Sequence, residues 1–235
     1  MPARSLRGAL AAFLGLAPLA AMAQTPPGQA QIYDPQPPPD SAYIRFVNTL
    51  GEELALRPSF LPAQRLGTKP EERISVYHVA QRVGGNQEFS VEATAGRRTG
   101  RVALNMRPGS FNTILLQPQG DGGIAATPIV DEADFNRARS RLSFYNAANC
   151  PAASVSLAPS GPAVLEGVAS NAAKARSVNP VTAELRAECT GGQAAPIFPL
   201  QGLEAGGMYS IWLMQPDGRT LTAFFTRDTT ARWRN

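Results

Sequence analysis

The sequence predicts an all-β protein made of two tandem β-sandwich domains, related by internal duplication and joined by a short helical connector. Three observations lead to this prediction. Short segments of alternating apolar and polar residues recur at close spacing, Gly- and Pro-rich turn signals separate them, and similar strings return at a fixed distance along the chain. Because no long amphipathic pattern lies between the strand candidates, βαβ units are not predicted.

The first 23 residues are organised like a secretory signal peptide. Arg4 and Arg7 form a short positive region, residues 8–20 form an apolar run, and residues 21–23 (AMA) supply a small-x-small cleavage pattern. The apolar run is too short to span a membrane as a helix. We therefore expect export, a mature chain that begins at Gln24, and no transmembrane segment after cleavage.

Charge and cysteine content exclude several classes of function. Without the signal peptide, 20 basic residues face 18 acidic ones, an excess too small for a nucleic-acid-binding surface, so no nucleic-acid partner is expected. Cys150 and Cys189 belong to no Cys-x-x-Cys or Cys–His cluster, so no metal site is expected. An even pair of cysteines in an exported chain predicts a disulfide between them.

The first half of the mature chain begins with a proline-rich leader over residues 24–39, in which Tyr33 is the one aromatic residue. The N-terminal β-sandwich domain is predicted over residues 40–129. Strand candidates in it are residues 41–48, 73–79, 88–94, 101–106 and 111–117. In the first of these, alternation puts Ile44 and Phe46 on one face and Tyr43, Arg45 and Val47 on the other.

The second half follows a predicted connector over residues 130–139. Its sequence from Asp131 has acidic residues in the first turn and arginines in the last, which is typical of a short helix. The C-terminal β-sandwich domain is predicted over residues 140–230, with a tail at 231–235. The segment 209–214 (YSIWLM) predicts a central strand buried on both faces, with Trp212 in the core.

Several strings return 98 residues later, which predicts a duplicated unit of about 100 residues. The matched pairs are Ile44 and Leu142, Phe46 and Phe144, Asn48 and Asn146, residues 109–111 and 207–209, and residues 115–118 and 213–216. The positions that match are those expected to pack, whereas the other face of the first strand has diverged. We therefore predict that Tyr43 and Arg45 on this diverged face, together with Tyr33, form an interaction surface.

No catalytic residue and no cofactor is predicted. His78 is the single histidine, so any serine-type mechanism would depend on it, and no Gly-x-Ser-x-Gly string occurs. The adjacent acidic pairs, such as Glu52-Glu53, point in different directions in a strand or a helix and form no glycosidase dyad. We expect His78 to be structural.

Ordered strings across nearly the whole mature chain resemble the AlgF family of alginate O-acetylation accessory proteins. These strings are Tyr33-x-Pro35, residues 39–48 (PDSAYIRFVN), 108–113 (PGSFNT), 134–136 (DFN), 142–146 (LSFYN), 166–168 (EGV), 177–181 (SVNPV) and 205–210 (AGGMYS). The cysteine pair is similarly placed.

The resemblance implies a periplasmic, non-catalytic component of exopolysaccharide O-acetylation. Its partners would be periplasmic and membrane-bound polysaccharide O-acetyltransferase proteins, which it would bridge, with the polysaccharide itself possible as a further ligand. Alginate is the first polymer that the resemblance suggests, and cellulose is an alternative.

Two other functions stay open at this point. The first is a carbohydrate-binding module that holds an acidic or acetylated polysaccharide through Arg97, Arg98 and Arg101, because the planar guanidinium group suits carboxylates. A solvated hairpin tip after the Ala95-Gly96 turn explains the same cluster. The second is an acetyl-carrying enzyme that would use an exposed serine with His78.

Overall fold

The computed structural model describes residues 37–120, 122–132 and 137–232, and regular structure in these ranges is almost entirely β. The predicted signal peptide, Tyr33 and most of the leader lie outside the described residues. No helix in the described ranges is long and apolar enough to cross a membrane.

In the described residues, eight strands build each half of the chain. The N-terminal half contains β1 (Ala42–Asn48), β2 (Leu54–Pro58), β3 (Gln64–Leu66), β4 (His78–Ala80), β5 (Phe89–Ala95), β6 (Arg98–Leu104), β7 (Phe111–Pro118) and β8 (Ile124–Asp131), with a 3-10 turn at Pro70–Glu72. The C-terminal half contains β9 (Ser140–Ala147), β10 (Ala152–Leu157), β11 (Ala163–Ala169), β12 (Ala172–Val178), β13 (Ala183–Cys189), β14 (Phe198–Leu200), β15 (Met208–Met214) and β16 (Thr222–Arg227).

The two halves have the same sheet topology. The N-terminal half forms an inner sheet of order β4-β1-β7-β8 and an outer sheet of order β3-β2-β5-β6. The C-terminal half forms an inner sheet of order β12-β9-β15-β16 and an outer sheet of order β11-β10-β13-β14, so every strand has an equivalent eight strands later. In both inner sheets the central pair is parallel and its neighbours are antiparallel. The predicted all-β fold with two sandwich-like units is confirmed.

Each sandwich has its own apolar core between its inner and outer sheets. Ile44, Phe46, Leu54, Leu56, Val91 and Leu116 belong to the N-terminal core. Leu142, Phe144, Val155, Leu185, Ile211 and Leu213 belong to the C-terminal core. The repeated apolar positions of the first strand therefore do pack inside their own sandwiches, as the alternation predicted.

A buried asparagine at the end of the first strand is used in the same way in both halves. The Asn48 side chain donates to the carbonyl oxygens of Glu52 and Gly67, both at 2.9 Å, and accepts from the Leu50 amide. Asn146 donates to the carbonyl oxygens of Cys150 and Val168 and accepts from an amide two residues later. These bonds satisfy backbone groups where the chain leaves the strand, which explains the repeated asparagine.

The two inner sheets pack against each other through a third apolar cluster. Val47, Leu115 and Ile129 come from the N-terminal inner sheet, and Tyr145, Ala147, Trp212, Met214 and Phe224 come from the C-terminal one. Strands β1 and β15 are therefore buried on both faces. Trp212 is fully buried, as predicted, but it packs between the sandwiches rather than inside one.

The predicted helical connector is not seen. Strand β8 continues to Asp131, residues 133–136 lie outside the described residues, and residues 137–139 form a turn before β9. The acidic start of the segment does not begin a helix because Asp131 ends a strand and its carboxylate accepts side-chain hydrogen bonds at the sandwich junction. The prediction of a helix here is wrong.

The predicted disulfide between Cys150 and Cys189 is confirmed, with a Cα–Cα distance of 5.8 Å. Cys150 follows β9 of the inner sheet and Cys189 ends β13 of the outer sheet. The bond therefore links the two layers of the C-terminal sandwich.

Candidate functional site

The densest group of ionisable and hydroxyl side chains in the described residues lies between the two inner sheets, around Arg45. The Arg45 guanidinium donates to Thr113 Oγ1 at 2.9 Å, to Asp228 Oδ1 at 2.7 Å and to Ser210 Oγ at 3.1 Å. Thr113 belongs to the same half of the chain as Arg45, whereas Ser210 and Asp228 belong to the C-terminal half. Arg45 is 1% exposed and Asp228 is 5% exposed, so this largely buried ion pair joins the two sandwiches, and both residues line a cleft of about 380 Å³ at the junction.

Three aromatic rings surround the same guanidinium group. Its carbon lies 4.4 Å from the ring centre of Tyr77, 5.0 Å from that of Tyr145 and 4.9 Å from that of Trp212. Tyr145 and Trp212 stack on each other with their ring centres 4.2 Å apart. Desolvated cation–π contacts are worth about 2 kcal/mol, so the rings offset part of the cost of burying the charge.

Asp131 is the second centre of this group. We call the group the junction cluster, and it consists of Arg45, Thr113, Asp131, Asp228 and the side chains bonded to them, Tyr77, Tyr145 and Ser210. The Asp131 carboxylate accepts from Thr113 Oγ1 at 2.7 Å, from Tyr77 Oη at 2.8 Å and from Tyr145 Oη at 2.7 Å. Burial raises the pKa of Asp131, although the charge of Arg45 and the three hydroxyl donors act in the opposite direction.

The duplication explains why two carboxylates occur here. Strand pairing places Thr113 beside Arg45 and Ser210 beside Ser143, so Thr113 and Ser210 are equivalent and are 97 residues apart. The same spacing relates Asp131 to Asp228, and in each half the hydroxyl donates to its carboxylate. The position of Arg45 is serine in the other half, so one arginine lies between two equivalent hydroxyl–carboxylate pairs.

The electrostatics keep the arginine charged. Burial disfavours the charged guanidinium and by itself would lower the pKa of Arg45. The electrostatic effect of the surrounding side chains is larger and raises this pKa; these side chains are Tyr145, Asp228, Tyr77 and Asp131. Among the described residues, Ser41 Oγ is the one buried side-chain polar atom without a hydrogen-bond partner. The polar side-chain atoms of the junction cluster thus have hydrogen-bond partners within it. Their bonds hold the two sandwiches together.

The structure describes two of the three residues of the predicted interaction surface. Arg45 is buried at the junction, because the diverged face of β1 contacts the other half of the same chain. Tyr43 is partly exposed and stacks on Phe111, with the ring centres 4.3 Å apart. Tyr33 lies outside the described residues. The structure therefore does not place Tyr43 and Arg45 together on an exposed face.

The arginines predicted for polysaccharide binding lie at the hairpin between β5 and β6. Arg98 is 3.9 Å from a carboxylate oxygen of Glu52, and Arg101 is 3.6 Å from one of Glu92. Arg97 is exposed in the turn. Arg98 is partly buried beside the strand edge and Arg101 points outward from the sheet, so the three do not converge on one pocket.

His78 is half-buried and its Nε2 lies 3.1 Å from the side-chain nitrogen of Gln64. Burial lowers the pKa of His78 below its ordinary value. Ser75, the nearest serine in sequence, accepts from the Phe46 amide and donates to the Val76 carbonyl. Within the described ranges, no group of three or more His, Cys, Asp or Glu side chains is placed to hold a metal ion.

A cleft of about 500 Å³ opens where the two sandwiches meet, away from the junction cluster. The side chains of Gln117 and Asn171 line it and bond to each other across the junction at 2.7 Å. Asn149, Ser170 and Gln215 also line it, and none of its described lining residues is charged. Sequence reasoning missed this cleft because its residues come from loops and strand ends of both halves.

No protein-family model matches the chain, and no curated protein matches it. Among solved structures, the chain is similar to the C-terminal domain of AlgF from P. aeruginosa, with 16% identity, a TM-score of 0.34, and coverage of 38% of this chain and 98% of that one. It is also similar to CBMbc (family CBM26) from Eubacterium rectale Amy13K, in complex with maltoheptaose. There the identity is 10%, the TM-score is 0.27, and coverage is 81% and 97%. At these scores neither likeness assigns a family or a function.

The buried carboxyl of Asp131 should make stability depend on pH. Its pKa is raised above the ordinary 3.8 in the folded state. At a pH between the unfolded and the folded pKa, the folded protein therefore keeps a proton on Asp131 that the unfolded chain has lost. The stabilisation from Asp131 is therefore full below the unfolded pKa and is lost as pH rises through the folded pKa. An asparagine side chain cannot ionise. We therefore expect the free energy of unfolding of Asp131→Asn minus that of wild type to become more positive as pH rises. Urea denaturation from about pH 4 to about pH 7 measures this.

Asp217→Asn is the matched control, because its pKa shift has the opposite sign. The amides of Thr220 and Arg219 donate to this exposed carboxylate and lower its pKa to about 2. Its contribution is present above the unfolded pKa and is lost as pH falls. A stability difference between Asp131→Asn and wild type that stays constant with pH would contradict the assignment of a raised pKa to Asp131.

Proposed function

We propose that this protein is a non-catalytic accessory component of exopolysaccharide O-acetylation that acts in the periplasm. It mediates contacts between periplasmic and membrane-bound O-acetyltransferase proteins, and alginate is the polymer that the resemblance suggests. The ordered strings from residue 33 to residue 210, together with the signal-peptide pattern, support this proposal.

The observation that carries the proposal is the position of the junction cluster. The ionisable and hydroxyl side chains of the junction cluster are mostly buried and bonded to one another, and Arg45 and Asp228 are paired with each other where they line a cleft of about 380 Å³. An acid, base or nucleophile must reach its substrate. These groups instead fix two sandwiches in one unit, which leaves the outer sheet faces and loops to contact other molecules.

Deletion of the gene in its host tests the proposal. We expect the acetyl content of the exopolysaccharide to fall to near the background level, while the amount of polymer is unchanged. Acetyl release by mild alkali, normalised to uronic acid or total sugar, measures both quantities. Unchanged acetylation in the deletion strain would rule out the proposed role.

His78→Ala separates an accessory protein from an acetyl-carrying enzyme. We expect the variant to restore acetylation fully in the deletion strain, because His78 contacts Gln64 and carries no catalytic role in the proposal. Gln64→Ala is the control for any local structural effect. If His78→Ala folds like wild type but fails to restore acetylation, while Gln64→Ala restores it, the histidine takes part in chemistry.

A carbohydrate-binding module is the second candidate function, and the amide-lined cleft favours it. Amide side chains both donate to and accept from sugar hydroxyls, and a cleft of about 500 Å³ is of the size that binds small ligands. Titration of the mature protein with acetylated and non-acetylated polymer tests it. Binding that is lost in Asn149→Ala with Gln215→Ala would favour this function over the accessory role.

A further inference from the structure

The outer face of the N-terminal outer sheet carries an excess of positive charge. Arg57 on β2, Arg65 on β3 and Arg101 on β6 are exposed and point away from the core. The pairing register places Arg57 opposite Glu92 and Glu92 opposite Arg101, so one carboxylate lies between two guanidinium groups. We call this surface the arginine face, defined by Arg57, Arg65 and Arg101.

The equivalent face of the C-terminal half carries the opposite excess. Pairing places Ser156 opposite Arg186, where the first half has Arg57 opposite Glu92. On β13, Glu184 and Glu188 flank Arg186 on the same face. The inward positions of these strands remain apolar in both halves. The charges have therefore diverged on surfaces where the fold does not require any particular charge.

Ion pairing among the strand residues does not neutralise the arginine face. The strand residues of this face supply three arginines and one glutamate, a difference of two positive charges within the strands, and the exposed Glu53 and Glu88 directly precede β2 and β5 at its two ends. The pair between Arg101 and Glu92 is 3.6 Å long and its side chains are 73% and 53% exposed. Exposed pairs of this kind are weak, and a stronger carboxylate partner can replace them.

The chemistry of the face favours a protein partner over a sugar. Its other outward strand residues are small or polar, namely Ala55, Ser90, Thr94, Thr99 and Ala103. No aromatic ring among the described strand residues points outward here, so the face lacks a platform on which a pyranose ring could stack. Arginine forks pair with carboxylates and are enriched at protein interfaces.

We propose that the arginine face docks an acidic patch on a protein partner. This inference rests on the proposed function, and the partner is accordingly an acetyltransferase component that presents clustered Asp and Glu side chains. Electrostatic complementarity of this kind speeds association and makes binding sensitive to salt.

A charge-reversal variant of the full mature chain tests the proposal. Arg57→Glu, Arg65→Glu and Arg101→Glu together should weaken binding to the purified acetyltransferase component by about tenfold or more, mainly through slower association. The control variant Arg139→Glu, Arg219→Glu and Arg232→Glu changes the net charge equally at exposed loop and tail positions outside the arginine face, and should bind like wild type. Biolayer interferometry at low and high salt measures both, and circular dichroism checks the fold.

The outcomes separate this inference from the proposed function. If the face variant binds the acetyltransferase component as tightly as wild type does, the arginine face is not the docking surface. The same holds if the face variant and the control variant lose affinity equally. In both cases the accessory role stands. If the face variant loses polymer binding instead of protein binding, the surface binds polysaccharide and the proposal is overturned. If wild type binds no acetyltransferase component, this proposal fails, and the acetyl content of the deletion strain decides the accessory role independently.

Discussion

Arg45→Met is expected to lower the free energy of unfolding by about 3–5 kcal/mol, because it leaves the Asp228 carboxylate buried without its cationic partner. Methionine retains much of the aliphatic volume, so the loss reports the charge and its hydrogen bonds rather than a large cavity. The same change removes the guanidinium contacts to Thr113 and Ser210 and to the three aromatic rings. Urea denaturation at neutral pH, followed by tryptophan fluorescence, measures the effect.

Arg227→Met is the matched control for this prediction. Arg227 pairs with Glu204 at 2.6 Å, but the two side chains are 53% and 62% exposed. Exposed pairs contribute about 0–1 kcal/mol, so this variant should unfold almost like wild type. Adding Asp228→Leu to Arg45→Met should recover part of the lost stability, because the unpaired charge is then removed as well. Equal losses from Arg45→Met and Arg227→Met would contradict the structural role of Arg45.

Removal of the disulfide by Cys150→Ala with Cys189→Ala is expected to lower the free energy of unfolding by about 3–4 kcal/mol. The two cysteines are 39 residues apart, and a cross-link over such a loop restricts the unfolded chain by about this amount in the chain-entropy description. The bond also links the inner and outer sheets of one sandwich. Denaturation under oxidising conditions, compared with wild type, measures the loss.

Reductant provides the control for the disulfide. Wild type in excess dithiothreitol should unfold at the denaturant concentration of the double variant, whereas the variant should not respond to reductant. A variant that is as stable as oxidised wild type would show that the cross-link contributes little in this chain.

Much of the fold was predictable because the duplicated strings mark positions with a fixed structural task. Phe46 and Phe144 fill equivalent cores, and Asn48 and Asn146 bond to the backbone in the same way. Equivalent residues of β1 and β9 are 98 residues apart. The strand pairing shows that equivalent residues of β7 and β15 are 97 residues apart. The string match alone could not detect this shift by one residue.

Several strands could not be recognised from the alternation pattern. Strand β8 contains Pro128, which an edge strand tolerates because it pairs on one side only. Of the candidate at residues 73–79, only His78 and Val79 fall in a strand, because Tyr77 instead forms an isolated bridge to Thr230 near the end of the chain. Pairing partners so distant in sequence leave no local signal.

Sequence reasoning placed Arg45 in an interaction surface, whereas the structure buries it between the two sandwiches. A single sequence does not show whether the contacts of a diverged strand face lie within the chain or with a partner. Asp228 and Ser210, which bury Arg45, lie 183 and 165 residues further along the chain. Tyr43 and Val47 flank Arg45 on the diverged face of β1, and these large neighbours were the available signal for a strand covered on both sides.

Affinity capture with the predicted mature chain, residues 24–235, is the decisive test of the proposed function. The bait would be incubated with a periplasmic and inner-membrane extract of the host, and the same preparation would be titrated in parallel with acetylated and non-acetylated polymer. The proposed function predicts recovery of O-acetyltransferase components, identified by mass spectrometry, and no measurable binding of either polymer. Polymer binding without any acetyltransferase component would contradict it.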